Sequence, residues 1–157
     1  MFDWLDGTAP QLLNARDLDA WDGGAVPAGE DVVRLGESGH GSLLQLSGGG
    51  PAAAVPLELG GLLLVSSLRC DSEESLSAHL DLLPVSGWTM LEETFTAENT
   101  DFALFDGSLP GRELARHRAR WILVTLEEGN YEVETFAHWQ PDSATELHLV
   151  RLIRKRG

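Results

Sequence analysis

A chain of 157 residues, 43% hydrophobic and 23% charged, has the length of one domain and the composition of a folded one. A net charge of −14 argues against nucleic-acid and anionic membrane partners, and no apolar run approaches the roughly 18–20 residues of a bilayer span. Its single cysteine, Cys70, excludes an intramolecular disulfide framework.

The acidity is uneven. Residues 1–110 hold 18 acids against Arg16, Arg34 and Arg69, whereas residues 111–157 hold seven acids against eight bases. Such a field steers a protein toward a basic partner, although acidity also serves plain solubility. The opening MFDWLDGTAP carries acids where a secretory signal needs a basic segment and a long apolar stretch. A cytoplasmic location is therefore expected.

In chain order, a short strand is predicted over residues 2–5 and a second apolar burst over 10–13. Asn14 is placed to cap a helical turn over 15–21, with Leu18 and Trp21 turned to one side by their i, i+3 spacing. Residues 31–35 and 42–46 read as strands, and the GESGHG sequence of residues 36–41 joins them as a hairpin. Gly48, Gly49 and Gly50 ahead of Pro51 lack the Lys-Ser/Thr and the following helix of a phosphate loop, so they read as a turn. Residues 61–69, GLLLVSSLR, suit a strand covered on both faces.

Asp71-Ser72-Glu73-Glu74 is a helix start, with Asp71 as cap and Glu74 completing a capping box. The helix is expected over residues 72–83, stopping before Pro84, with Leu76, His79, Leu80 and Leu83 as its buried stripe. Strands follow over 87–95 and 102–105, then a basic patch over 112–120. The last third predicts a three-stranded meander over residues 121–126, 131–139 and 146–153. A tight turn at Glu128-Gly129 would pair Leu126 with Tyr131, Val124 with Val133 and Ile122 with Thr135. A turn centred on Ser143 would set Trp139 opposite Leu147, Ala137 opposite Leu149 and Val133 opposite Ile153. On this register Trp121, Leu123, Phe136, His138, Val150 and Leu152 share the other face, more apolar than solvent requires. The expected fold class is α+β: a largely antiparallel β-sheet with a C-terminal three-stranded meander and one long amphipathic helix, in a single domain over residues 1–157.

No catalytic constellation assembles from the sequence. Cys70 and His79 stand at opposite ends of the predicted helix, and His79 reads as a core histidine on its buried stripe. His138 and His148 face each other in the meander register, near enough to share a zinc ion or sense pH, but a third ligand is wanting beyond Glu134. The pairs Glu92-Glu93 and Glu127-Glu128 are neighbours that a strand would point to opposite faces. Arg112, Arg116 and Arg120 repeat at i, i+4, i+8, a spacing that suits either an anion or this chain's own surplus acids. The expectation is of no enzyme, no metal and no cofactor.

A wider pattern runs through the chain. It consists of Trp4, Ala9-Pro10-Gln11-Leu12-Leu13, Leu18, Trp21-Asp22-Gly23, Gly60-Gly61-Leu62-Leu63-Leu64-Val65 and Asp71-Ser72-Glu73-Glu74, then Phe102-Ala103-Leu104-Phe105-Asp106, Pro110-Gly111, Leu126-x-x-Gly129-x-Tyr131 and Pro141 through Leu152. In order and spacing this resembles the immunity protein 21 family of bacterial polymorphic toxin systems, departing from it over residues 31–50 and at Thr8-Ala9. The resemblance implies a small non-enzymatic cytoplasmic protein that binds and neutralises a cognate toxin with a basic surface. A non-enzymatic ligand-binding or scaffold domain is the alternative. Glu92, Glu93, Glu98, Asp101, Glu127 and Glu128, in predicted turns and strand ends, are the expected partner-binding residues.

Overall fold

The computed structural model describes residues 4–5, 10–21, 34–38, 41–46, 51–57, 60–69, 72–107, 110–111, 113 and 121–155. Its strands are β1 (Pro10–Asn14), β2 (Arg34–Ser38), β3 (Gly41–Gln45), β4 (Ala52–Pro56), β5 (Gly61–Arg69), β6 (Thr89–Ala97), β7 (Asp101–Asp106), β8 (Trp121–Thr125), β9 (Gly129–Asp142) and β10 (Thr145–Arg154). A 3-10 helix, Ala15–Ala20, follows β1, and an α-helix, α1 (Glu73–Leu80), follows β5; Gly111 and Glu113 are also helical.

All described strand pairs are antiparallel and join in one ten-stranded sheet, which folds into two layers. One has the order β4-β5-β10-β9-β6; the other has the order β3-β1-β7-β8, with β2 added on β3. A single residue pair, Gly41 with Ala97, joins β3 to β6 and so one layer to the other. Between the layers lies the central core. Leu12, Leu44, Phe102, Leu104 and Val124 enter it from one side, and Leu62, Leu64, Phe95, Tyr131, Val133, Val150 and Leu152 from the other. Phe95 and Phe102 meet across it with ring centroids 5.5 Å apart.

Strand alternation supplies the outer faces as well. Leu63 and Val65 of β5 and Leu147 and Leu149 of β10 point outward, and α1 covers them with Leu76. Leu13, Ala103 and Phe105 point outward from the other layer and meet Leu18 of the 3-10 helix, with Trp21 edge-on to Phe105. Asn14 begins that helix as the sequence indicates, its side-chain oxygen accepting from the Arg16 N–H at 3.0 Å. Close backbone approaches demand glycine at two places. At Gly61, with φ of +117°, a Cβ would run into the Leu152 carbonyl, and at Gly111 it would run into that of Leu18.

Three expectations are corrected. The protein is mainly β rather than α+β, because ten strands bury the apolar sequence between and outside two layers and leave little for helices to cover. The expected long helix is eight residues, with Leu76 its one buried residue. Its cap is Ser72, whose Oγ accepts from the Ser75 N–H at 3.1 Å; Asp71 lies outside the described residues. Leu83 still packs on the cluster beneath α1, but from beyond the helix end.

The C-terminal meander is likewise replaced. β8 pairs with β7, setting Val124 opposite Phe102, while β9 pairs with β6 and β10. Val124 and Val133 do both point inward, but from opposite layers, so they face across the core instead of pairing within a sheet. The β9–β10 hairpin does form, with Trp139 opposite Leu147. A register shift between Leu147 and Leu149 then sets Leu149 opposite Phe136 and Leu152 opposite Val133. That one-residue change sends Val150 and Leu152 into the central core and dissolves the predicted second apolar face.

Candidate partner-binding surface

All six predicted partner-binding acids are exposed, and the fold sorts them into two places. Glu98 lies between β6 and β7, Asp101 opens β7, and Glu127 and Glu128 lie between β8 and β9. The Leu126 N–H donates to the Thr100 carbonyl at 3.0 Å, and Ala97 pairs with Gly129, so these two connections lie side by side at one end of the molecule. Within this group Glu127 is engaged already: its Oε2 accepts from Arg154 Nη1 at 2.6 Å. Both side chains are well exposed, which makes that ion pair worth little to stability. Tyr131, buried beneath, donates its hydroxyl hydrogen to the Glu127 carbonyl at 2.6 Å. Burial pushes the Tyr131 phenol above its ordinary range; the nearby Arg154 charge opposes that and the Glu127 charge adds to it.

Glu92 and Glu93 stand apart, in the part of β6 where its register against β9 shifts between Met90 and Thr94. Glu93 is five residues from Glu98, about 16 Å along an extended strand.

Beside Glu92 and Glu93 is a feature that the sequence reading missed. Leu82, Val85 and Met90 are 81%, 100% and 55% exposed, three large apolar side chains within one short stretch after α1. The stretch is anchored by Trp88. Its indole N–H donates to the Pro84 carbonyl at 2.7 Å, its ring meets Phe136 edge-on at 5.7 Å, and the Arg151 guanidinium lies 3.9 Å from its centroid. Arg151 in turn donates through Nε to Glu134 Oε2 at 2.8 Å, directly across the β10–β9 pair. The order is Trp88, Arg151, Glu134: ring, cation, carboxylate. A loop held this way presents apolar side chains without having to be ordered on binding. Apolar residues flanked by charge are the usual composition of a protein–protein contact. The sequence signal was the Leu82-Leu83-Pro84-Val85 run, of which only Leu83 belongs to the expected buried stripe.

The histidines do not assemble a site. His79, expected in the core, is partly exposed and bonds Asp142 Oδ2 at 2.7 Å, with its ring edge-on to Trp139. That bond, and next the Ala144 N–H, hold the Asp142 carboxyl below the usual carboxylate range. His148 is buried, opposite Ser66 of β5, whereas His138 is exposed, and both lie where the register of β9 on β10 shifts. Among the described residues no group of three His, Cys, Asp or Glu side chains could hold a metal ion. Cys70, Arg112, Arg116 and Arg120 lie outside the described residues.

Comparison with family models, with curated proteins and with solved structures finds no match. Among the described residues, no helix is long and apolar enough to cross a membrane.

Proposed function

We propose that this protein is a cytoplasmic, non-enzymatic immunity protein that binds a cognate bacterial toxin through a basic surface of the toxin and blocks it. The motif order of the sequence supports the reading. The observation that carries it is the fixed loop exposing Leu82, Val85 and Met90 beside the free carboxylates of Glu92 and Glu93. The apolar side chains supply lasting contact, and the acids supply attraction at a distance to a basic cleft. Glu98, Asp101 and Glu128 form a second acidic place that reinforces the same steering.

The expected partner is the C-terminal domain of a large secreted protein encoded beside this chain. Co-expression should protect cells from that domain, and stopped-flow association should slow with rising salt. Reversing charge at Glu92 and Glu93 should slow association and flatten its salt dependence, whereas Leu82→Asp with Val85→Asp should speed dissociation. Failure of protection rejects the immunity reading. An on-rate indifferent to salt and to charge reversal rejects the steering role of these acids.

A further inference from the structure

The described sheet has open edges at β4, β2 and β8, and along most of β6, which meets β3 only at Ala97 and carries Glu92, Glu93 and a register shift. Sheet edges are templates for further pairing, and proteins usually guard them with proline, charge, a bulge or a covering segment. β4 is guarded at both ends. Its Ala52 exchanges two backbone hydrogen bonds with Leu5, at 2.7 and 3.0 Å, and it closes with Pro56, which has no N–H to offer. β2 carries Arg34 and Glu37. β8, Trp-Ile-Leu-Val-Thr, carries no charge and no proline, and makes five consecutive pairs with β7 without a register shift. Among the described strands, β7 is its only pairing partner. Leu123, at its centre, is 58% exposed, and Ile122, an inward-facing residue at the margin of the central core, is only half-buried.

We propose that β8 pairs antiparallel with β8 of a second copy of this chain, about a two-fold axis at Leu123. A two-fold axis normal to the sheet keeps inner faces with inner faces, so Leu123 meets its own counterpart and Ile122 meets Val124. Leu123 is then covered by Leu123, and the inward edge of one core continues into the other. Charge selects a second copy over a basic partner. β8 has no carboxylate to offer a cation, and its uncharged edge is matched by the uncharged edge of its own second copy. Because the strand is five residues long, the association is concentration-dependent. This inference is independent of the toxin-binding reading and does not use its residues.

The test is sedimentation equilibrium of the purified chain. The mass should rise from 17.0 kDa toward twice that value with increasing concentration. Leu123→Lys and Leu123→Glu should each weaken dimerisation by at least about tenfold, because the axis sets like charges side by side. An equal mixture of the two variants should recover the dimer. Since Leu123 is exposed, both variants should keep the wild-type circular dichroism. In the wild type, amide exchange at β8 should slow as concentration rises, a reading that needs no variant. A monomer at every concentration overturns the proposal. So do charged variants that dimerise like the wild type, or a mixture that stays monomeric.

Discussion

Removing the Arg151 guanidinium tests the anchoring of the exposed loop. Arg151 and Glu134 are 23% and 14% exposed, so the pair is neither fully solvated nor fully dry. Hydrogen bonds to charged groups are worth about 1.5–3 kcal/mol, and the stacking on Trp88 adds roughly 0.5–1 kcal/mol. Breaking a fully buried pair costs about 3–5 kcal/mol, which sets the ceiling. Arg151→Ala should therefore destabilise the protein by about 2–3 kcal/mol, part of it from the Glu134 charge left without its partner. For a domain of this size that is a fall in Tm of about 5–10 °C. Neutralising the stranded carboxylate with Glu134→Gln in the same chain should restore about 1 kcal/mol. Urea unfolding of the wild type, both single variants and the double variant closes the cycle. Costs that add within about 0.3–0.5 kcal/mol would show that the two side chains act independently and that Arg151 does not anchor through Glu134.

Two titrations follow from the same structure. Tyr131 is the only tyrosine, so phenolate absorbance reports it alone; its midpoint should lie above 10.0 in the native protein and return to the ordinary value in urea. The stability linked to its raised pKa is fully present below pH 10 and is lost as pH rises through the native midpoint; a native value at or below 10.0 refutes the burial argument. Asp142 carries the opposite sign: its contribution is present above the ordinary value of 3.8 and is lost as pH falls through the lower native one. His79→Ala should move the Asp142 carboxyl upward in an NMR titration, and an unmoved carboxyl would show that the His79 bond does not hold it down.

Where the sequence was legible, local chemistry decided the outcome. The continuous apolar run of β5 is buried on both faces, Asn14 caps the 3-10 helix, and Leu18 and Trp21 pack together against the same outer face. Trp139 opposite Leu147 followed from the turn alone. What failed was the choice of neighbour. Period-two alternation says that Val124 and Val133 face inward, yet it is silent on whether they lie in one layer or in two. It is equally silent on the bulge, which falls where His138 and His148 lie. For the candidate surface, charge in connecting segments was readable, and all six acids are exposed. The apolar half was not, because spacing sets Leu82 off the buried stripe and Val85 beyond the helix without saying whether another element covers them.

The pairing of β1 with β7 has a consequence for synthesis. Pro10 waits for Asp106, and at about 5–20 residues per second of translation that interval is roughly 5–20 s. β5 waits almost as long for its second neighbour: Val65 can pair early with Ala53 of β4, but Leu149 of β10 comes only 84 residues after it. Through that time Leu12, Leu13 and the Leu62–Val65 run have no completed sheet to enter, and long-range pairing of this kind is slow even in the finished chain. The nascent protein therefore passes through an interval in which its most aggregation-prone segments are already made and their partners are not. Its yield in the cell should depend on chaperone capacity more steeply than the stability of the folded state alone would indicate.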